Sequence, residues 1–343
     1  MKKYIKILTL LFPLAFVLCT LQSCKSPTGP GENSPGRRDY TWTLDTIKTA
    51  DDLTLIRMWG ISPTDVWAVG TSSSSRLTIW HYNGSWWGCD SIGRPFSPWA
   101  IIGFSSSQVW IGNVSSTIWE YTGSQWQQYG KYDVAGYDKN WILNFDGTAS
   151  NNIYAVGGAN KNDGSDYRGT IMHFDGTSWS FMNLPYLKVG FADGKIDQGT
   201  NTLITEGTVY DSTGWINKVH AWDGKQLKEI YSGFPYANVG SVQHEALISI
   251  NQKIYKYQNA QLVQWKDISG TDFSGKIWCG RSENDFFICS STGMGHYNGT
   301  NFQTIYKTNL TMEGGYVFDK DVFFIYSDEN NIGLNVVVHG KLK

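Results

Sequence analysis

Residues 151–179 read NNIYAVGGANKNDGSDYRGTIMHFDGTSW. A hydrophobic run from Ile153 to Gly158 leads through a polar stretch to a second run ending at Phe174. An Asp175-Gly176 pair and Trp179 follow. The same order recurs along the chain. Asp65–Gly70 (DVWAVG) leads to Ile79–Gly84 (IWHYNG) and Trp86. Gln108–Gly112 (QVWIG) leads to Ile118–Gly123 (IWEYTG) and Trp126, and Asn284–Ile288 (NDFFI) leads to Gly295–Gly299 (GHYNG) and Phe302. Self-similarity at a fixed period is the signature of a repeat architecture.

The runs are rich in Val, Ile, Trp, Tyr and Phe, which favour strands, and the separators are Gly, Asn, Asp and Ser, which favour tight turns. The pairs at 83–84, 122–123, 175–176, 223–224 and 298–299 place Gly where a hairpin needs positive φ. A second turn precedes each Asp-Val-Trp-type strand, as at Ser62–Asp65, Ser105–Gln108 and Ser282–Asp285. Two tight turns and one variable loop give four antiparallel strands, a to d, per unit. Aligned on strand b, the units fall at Trp67, Trp110, Tyr154, Leu203, Leu247, Phe287 and Phe323, spaced about 36 to 49 residues apart. The expected fold is therefore all-β: a seven-bladed β-propeller of four-stranded antiparallel blades. The last unit ends at Lys343 without room for strand d, and Tyr40–Ile47 (YTWTLDTI) is similar to strand d of the sixth unit. The N-terminal strand is thus expected to close the last blade.

These repeats resemble those of Kelch and WD40-type propellers, most of all the degenerate ones of bacterial lipoproteins. Gly157-Gly158, Phe174 and Trp179 carry the Kelch likeness. The N-terminus carries the lipoprotein likeness. Lys2 and Lys3 precede an apolar stretch from Ile5 to Leu21, too short to span a bilayer, and Leu21-Gln-Ser-Cys24 resembles a lipobox. The resemblance implies a signal peptide at 1–23 and a multiply acylated Cys24, whose several chains would anchor the protein stably. Lys25 in place of Asp points to the outer membrane of the cell envelope, with periplasmic or surface display left open. Residues 24–39, rich in Pro, Gly and Ser, read as a flexible tether, and 40–343 as the propeller.

A net charge of −2 and a pI near 6.3 give no global basic field, so no nucleic-acid partner is expected. After loss of Cys19 and acylation of Cys24, three cysteines remain. Cys279 and Cys289 flank one a–b turn and could form a cross-strand disulfide, or stay as two thiols. His81, His173 and His296 hold one repeat slot, which Glu120 and Lys256 fill elsewhere. Equivalent slots on separate blades cannot converge on one metal, so they are expected to be structural, with no metal and no cofactor. The repeat-locked Trp67, Trp80, Trp86, Trp110, Trp119, Trp126 and Trp179 are expected in the core between blades.

No phosphate-binding loop, Gly-x-Ser-x-Gly or His-Glu-x-x-His motif occurs, and no catalytic residue is assigned. Function is expected on the face formed by the b–c and d–a loops, which vary in length and content. The b–c loops are read as Gly157–Gly169, Glu206–Lys218 and Ser327–Asn335. The expected ligand-binding residues are Asp163, Asp166, Tyr167, Arg168, Tyr210, Asp211 and Trp215, on two neighbouring loops. Aromatics of the d–a loops, Phe96, Tyr132, Tyr137, Tyr186, Phe234 and Tyr236, form a second set. Rings among polar groups suit a protein or glycan partner. The chain thus reads as a lipid-anchored binding or scaffold module. The alternative is a carbohydrate-active hydrolase or lyase using loop carboxylates such as Asp163, Asp166 or Asp211 at the channel mouth.

Overall fold

The computed structural model describes residues 36–89 and 96–343. The expected signal peptide, Cys24 and most of the tether lie outside the described residues. The described residues form seven four-stranded antiparallel sheets. The chain begins with β1 (Tyr40–Lys48). Blade one holds β2 (Thr54–Ser62), β3 (Asp65–Thr71), β4 (Ile79–Tyr82) and β5 (Trp86–Gly88). Blade two holds β6 (Pro98–Ser105), β7 (Gln108–Asn113), β8 (Thr117–Tyr121) and β9 (Trp126–Lys131). Blade three holds β10 (Lys139–Ala149), β11 (Asn152–Asn160), β12 (Tyr167–Phe174) and β13 (Trp179–Phe181). Blade four holds β14 (Gly190–Asp197), β15 (Thr202–Asp211), β16 (Gly214–Trp222) and β17 (Leu227–Gly233). Blade five holds β18 (Ala237–Val242), β19 (Glu245–Ile250), β20 (Lys253–Gln258) and β21 (Gln261–Asp267). Blade six holds β22 (Phe273–Ser282), β23 (Asp285–Ser290), β24 (Gly293–Tyr297) and β25 (Phe302–Lys307). Blade seven takes β26 (Thr311–Val317), β27 (Asp321–Ser327) and β28 (Leu334–Leu342) from the C-terminus and β1 as its outer strand. The fold is a seven-bladed β-propeller, closed as the sequence implies. β1 pairs with β28 without a break from Tyr40↔Leu342 to Lys48↔Leu334.

Wedges of aromatic side chains hold the blades together. Trp67 and Trp110 are 1% exposed, and each reaches into the next blade. Trp67 meets Tyr121 at 4.9 Å and Trp126 edge-on at 5.4 Å, and Trp110 meets Phe174 at 5.0 Å and Trp179 at 6.0 Å. Large rings fill the diverging space between twisted sheets and add pairwise attraction of about 1 kcal/mol each. Trp119 and Trp126 are half-buried at the edge of the Trp67 cluster, and Trp80 and Trp86 at the edge of the cluster between blades seven and one.

The histidine slot is a repeated polar lock. Nε2 of His81, His296 and His339 lies 2.7 Å from Asp65, Asp285 and Asp321 respectively, and that of His173 lies 2.8 Å from Asn152. Each acceptor is at the start of strand b, at the a–b turn. Each imidazole then lies against the strand-b ring of its blade, most closely His81 on Trp67 and His339 on Phe323, both at 4.0 Å between centroids. Lys256 and Glu245 are the charged counterpart in blade five, 2.8 Å apart. Blade four breaks the pattern: Trp222 stands opposite Leu203.

Strand a carries a second repeated device. A β-bulge interrupts a–b pairing between Leu55 and Arg57, Ile142 and Asn144, and Phe191 and Asp193. Opposite each bulge strand b has Gly70, Gly157 or Gly207, where the backbone of strand a crosses too closely for a side chain. A Cβ on Gly157 would meet the Trp141 carbonyl oxygen at 1.9 Å. The first glycine of the double-Gly pair is therefore a crossing point. Bulges re-aim side chains, and here the residue after each bulge, Arg57, Asn144 or Asp193, lines the central channel.

Of the two alternatives for Cys279 and Cys289, the structure has the two thiols and no bond between them. The register set by the a–b turn and the irregularity at Gly280/Ser282 puts Cys279 opposite Phe287, and Cys289 pairs on its other side with Met294. The chain is also packed before Tyr40. The Arg38 guanidinium donates to His296 Nδ1, Asn301 Oδ1, Gln303 Oε1 and the carbonyls of His296 and Asn301. Residues 36–39, read as the end of the tether, lie against blade six, at its c–d turn.

Candidate binding face and channel mouth

The b–c and d–a loops open on one face, and the a–b and c–d turns on the other. The c–d turns are built alike. Asp175 Oδ1 accepts from the amides of Thr177 and Ser178, and Asp223 and Asn298 do the same for their own turns. Side chains that cap their own backbone are used up in folding. The opposite face is not built alike.

On that face the expected residues separate into several roles. Two of the b–c loops are shorter than read. β11 runs on to Asn160 and β12 begins at Tyr167, while β15 reaches Asp211 and β16 begins at Gly214. Asp163 accepts from the amide and hydroxyl of Ser165, and Asp211 from those of Thr213. Both are turn-formers, and these contacts hold both carboxyls below the usual range. Arg168 donates to the Leu184 carbonyl at 3.2 Å, so its fork is tied to the d–a segment beside it. Tyr167 lies under Lys188, 5.5 Å from the ring centroid. Asp166 joins three segments. It accepts from Tyr186 at 2.7 Å and Tyr137 at 2.8 Å, and these two hydroxyls lower its pKa. Tyr210 and Trp215 face each other across the β15–β16 hairpin, 5.2 Å between centroids.

Of the d–a aromatics, Phe96 is buried on Trp119 and Tyr132 packs into the core between blades two and three. Tyr186, Phe234 and Tyr236 are exposed at about 60%, as are Tyr210 and Trp215. All five come from the three loops around one end of blade four. Tyr231 and Asn217 hold the loop bearing Phe234 and Tyr236 by hydrogen bonds to the carbonyls of Pro235 and Phe234.

Tyr236 connects this rim to the channel, a cavity of about 720 Å³ lined from all seven first strands. Its polar lining was not anticipated. Arg57 of blade one reaches Asp193 of blade four across the lumen at 3.2 Å, and Lys195 shares that carboxylate at 3.3 Å. Lys195 also donates to Asn144 of blade three. Lys276 and Glu206 line the same wall. Glu206 faces Asp193 across the β14–β15 pair and is 6% exposed. Burial, and then the charge of Asp193, push its pKa up to about 8. Partial loss of solvent at the channel mouth, and then the charges of Glu206 and Asp193, raise that of Tyr236, whose side chain is otherwise exposed. Asp146, deeper in the channel, accepts from the Ile196 amide at 2.6 Å, and burial raises its pKa.

The carboxylates named for a carbohydrate-active enzyme, Asp163, Asp166 and Asp211, line no part of this channel; its acids are Asp146, Asp193 and Glu206. Among the described residues no group of three His, Cys, Asp or Glu side chains is arranged to hold a metal ion. The sequence signal for the channel is faint. Thr202–Asp211 is rich in Thr, Ile, Val and Tyr, which marks β15 as strand through Glu206.

No family model matches this chain, and neither does any curated protein. Among solved structures it is similar to YCF48 bound to a D1 peptide, with a TM-score of 0.60 at 12% identity over 89% of this chain and 99% of that one. It is also similar to the BBS1N chain crystallised in complex with ARL6DN, TM-score 0.56 at 10% identity over 90% and 98%. A third similar structure is the WD40 β-propeller domain of Doa1, TM-score 0.57 at 12% identity over 89% and 98%. At such identities the likeness shows the seven-bladed fold.

Proposed function

We propose that this chain is a lipid-anchored binding module of the cell envelope that holds a protein partner on its b–c/d–a face, over blade four. One observation carries the reading. Tyr186, Tyr210, Trp215, Phe234 and Tyr236 stand exposed together on loops fixed to a rigid ring. Exposed aromatic rings gathered in one place mark interaction surfaces, and such anchors supply most of the affinity of protein interfaces. Two of the similar propellers, YCF48 with its D1 peptide and BBS1N with ARL6DN, are described with protein partners.

The point of chain entry supports the arrangement. Arg38 and the start of β1 lie at the c–d turn of blade six, on the face opposite the aromatic rim. Acylation of Cys24 would tether the chain through the segment that enters at that face, leaving the rim free. Cys24→Ala should abolish incorporation of labelled fatty acid, and label retained by the variant would remove the anchor. For the binding face, a photo-crosslinking residue at Trp215 should yield polypeptide adducts in intact cells, and one at Ser85, on the opposite face, should not. Equal adducts from both positions, or none from Trp215, would overturn the assignment.

A further inference from the structure

Blades four and five differ in height on the b–c face. From the aligned strand-b positions Leu203 and Leu247, β15 runs eight residues further to Asp211, and β19 only three to Ile250. At about 3.3 Å per residue, the β15–β16 hairpin stands roughly 15 Å above its neighbour. Blade five closes its b–c turn with Asn251 and Gln252 alone, both at positive φ (49° and 58°). The Gln252 amide donates to the carbonyls of Thr271 and Phe273 and so is used up in the fold. The b–c turn of blade six, Ser291 and Thr292, is as short. A tall wall thus overlooks a low shelf.

The wall turns its rings toward the shelf. Tyr210 and Trp215 are cross-strand partners on the sheet face that carries Val219 and Ala221, which pack with Ala237 and Val239 of blade five. Phe234 and Tyr236 stand at the foot of that face, on the loop held by Asn217. Hydrogen-bonding capacity here is one-sided. Among the described residues, the exposed hydroxyls of Tyr210 and Tyr236 and the exposed Trp215 indole N–H make no hydrogen bond. The acceptors beside them already hold donors. Asp211 accepts from Thr213, and the carbonyls of Phe234 and Pro235 accept from Asn217 and Tyr231. A ligand matched to this surface brings carbonyl acceptors, few amide donors and apolar bulk to lie on uncharged rings. Proline meets all three demands. It has no backbone N–H, and a polyproline II helix leaves its carbonyls free for outside donors.

We infer that the shelf beneath Tyr210 and Trp215 receives a proline-rich, extended segment of the partner polypeptide. Its pyrrolidine rings lie on the four aromatic rings, and its carbonyls accept from the Trp215 indole and the two tyrosine hydroxyls. Such a segment is already extended when free, so little ordering entropy is lost when it docks in an aromatic-lined groove. This rests on the reading of the rim as a partner-binding face.

Calorimetric titration of the full-length protein tests this with three neutral probes: an acetylated, amidated proline decamer, a Gly-Ser decamer blocked in the same way, and cellohexaose. The proline decamer should bind tenfold or more tightly than the Gly-Ser peptide, and equally well at low and high salt. Trp215→Ala should weaken it at least tenfold. Tyr210→Phe and Tyr236→Phe keep the rings and remove the donors, and each should weaken it about threefold to fivefold. Val263→Ser, at an exposed position on the outer strand of blade five, should change nothing. Decamers that bind alike, no measurable binding of the proline decamer, or binding indifferent to Trp215→Ala would overturn the inference. Cellohexaose bound in place of the proline decamer would assign the shelf to a glycan and overturn it equally. Crosslinks from Trp215 that persist after such a failure leave the rim as a protein-binding face of other chemistry. Proline binding without those crosslinks would sink the cellular assignment and keep the shelf's preference.

Discussion

Asp285 and Glu206 are both carboxyls hidden from solvent, 3% and 6% exposed, and the fold treats them in opposite ways. Asp285 sits in a closed circuit. It accepts from His296 at 2.7 Å and from Arg281 at 3.3 Å, while Arg38 donates to the other imidazole nitrogen. The partners fix the tautomer, since Nδ1 accepts and Nε2 must therefore carry the proton. Burial works to raise the Asp285 pKa, but the hydrogen bond from His296 and the charge of Arg281 hold it below the usual range. Glu206 has no such circuit, and burial governs it. The comparison teaches that burial alone does not decide whether a hidden acid is charged. Completeness of partners does.

Breaking the circuit should give the largest effect. Asp285→Ala leaves His296 and Arg281 buried without their acceptor and should destabilise the fold by about 3 kcal/mol, read as a lower urea midpoint. Asp65→Ala, at a more open copy of the same lock, should cost about 1 kcal/mol. Equal and negligible losses at both sites would show that the circuits contribute nothing to stability.

Glu206→Gln should act in the other direction and more weakly. The folded pKa, about 8, lies above the ordinary 4.5. Between these values the folded state holds a proton that the unfolded chain has lost. The contribution of Glu206 is therefore complete below about pH 4.5 and is lost as pH rises through 8. Relative to wild type, the Gln variant should gain stability steadily as pH rises from 4.5 to 8, read as a widening gap in urea midpoint. A stability difference constant over that range would mean that Glu206 is already ionised.

The smallest effect sharpens the contrast on the surface. Tyr210→Ala with Trp215→Ala should change stability by less than about 0.5 kcal/mol while removing rim contact with the partner. A large drop in melting temperature would make these rings structural.

The fold was legible because most blades repeat the same instructions. A strand-b aromatic, a Gly at the crossing or a turn Gly such as Gly176 (φ +94°) recurs in register, and a unit that lacks one is read from the others. Closure was legible from a missing strand. The site was legible only where it is local. The hairpin bearing Tyr210 and Trp215 could be seen as an irregular, aromatic stretch. Asp163, Asp211 and Arg168 looked like ligand-binding groups because sequence lists side chains without showing what they already hold. The channel was hidden for a geometric reason. Arg57, Asp193, Glu206 and Lys276 come from three blades and belong to no repeat slot, and bulges that aim two of them inward leave only a Gly on the facing strand as their trace.

The pairing of β1 with β28 has a kinetic consequence. Its partners are about 300 residues apart, so this contact carries the highest loop-closure cost in the molecule. A nascent chain presents Tyr40–Lys48 about 300 residues before its mate. Until β28 has been made, this strand waits with open edges, exposed to any other strand it meets. Closure of the ring is then expected as the final step of folding, and quality control of this protein as a check on a single seam.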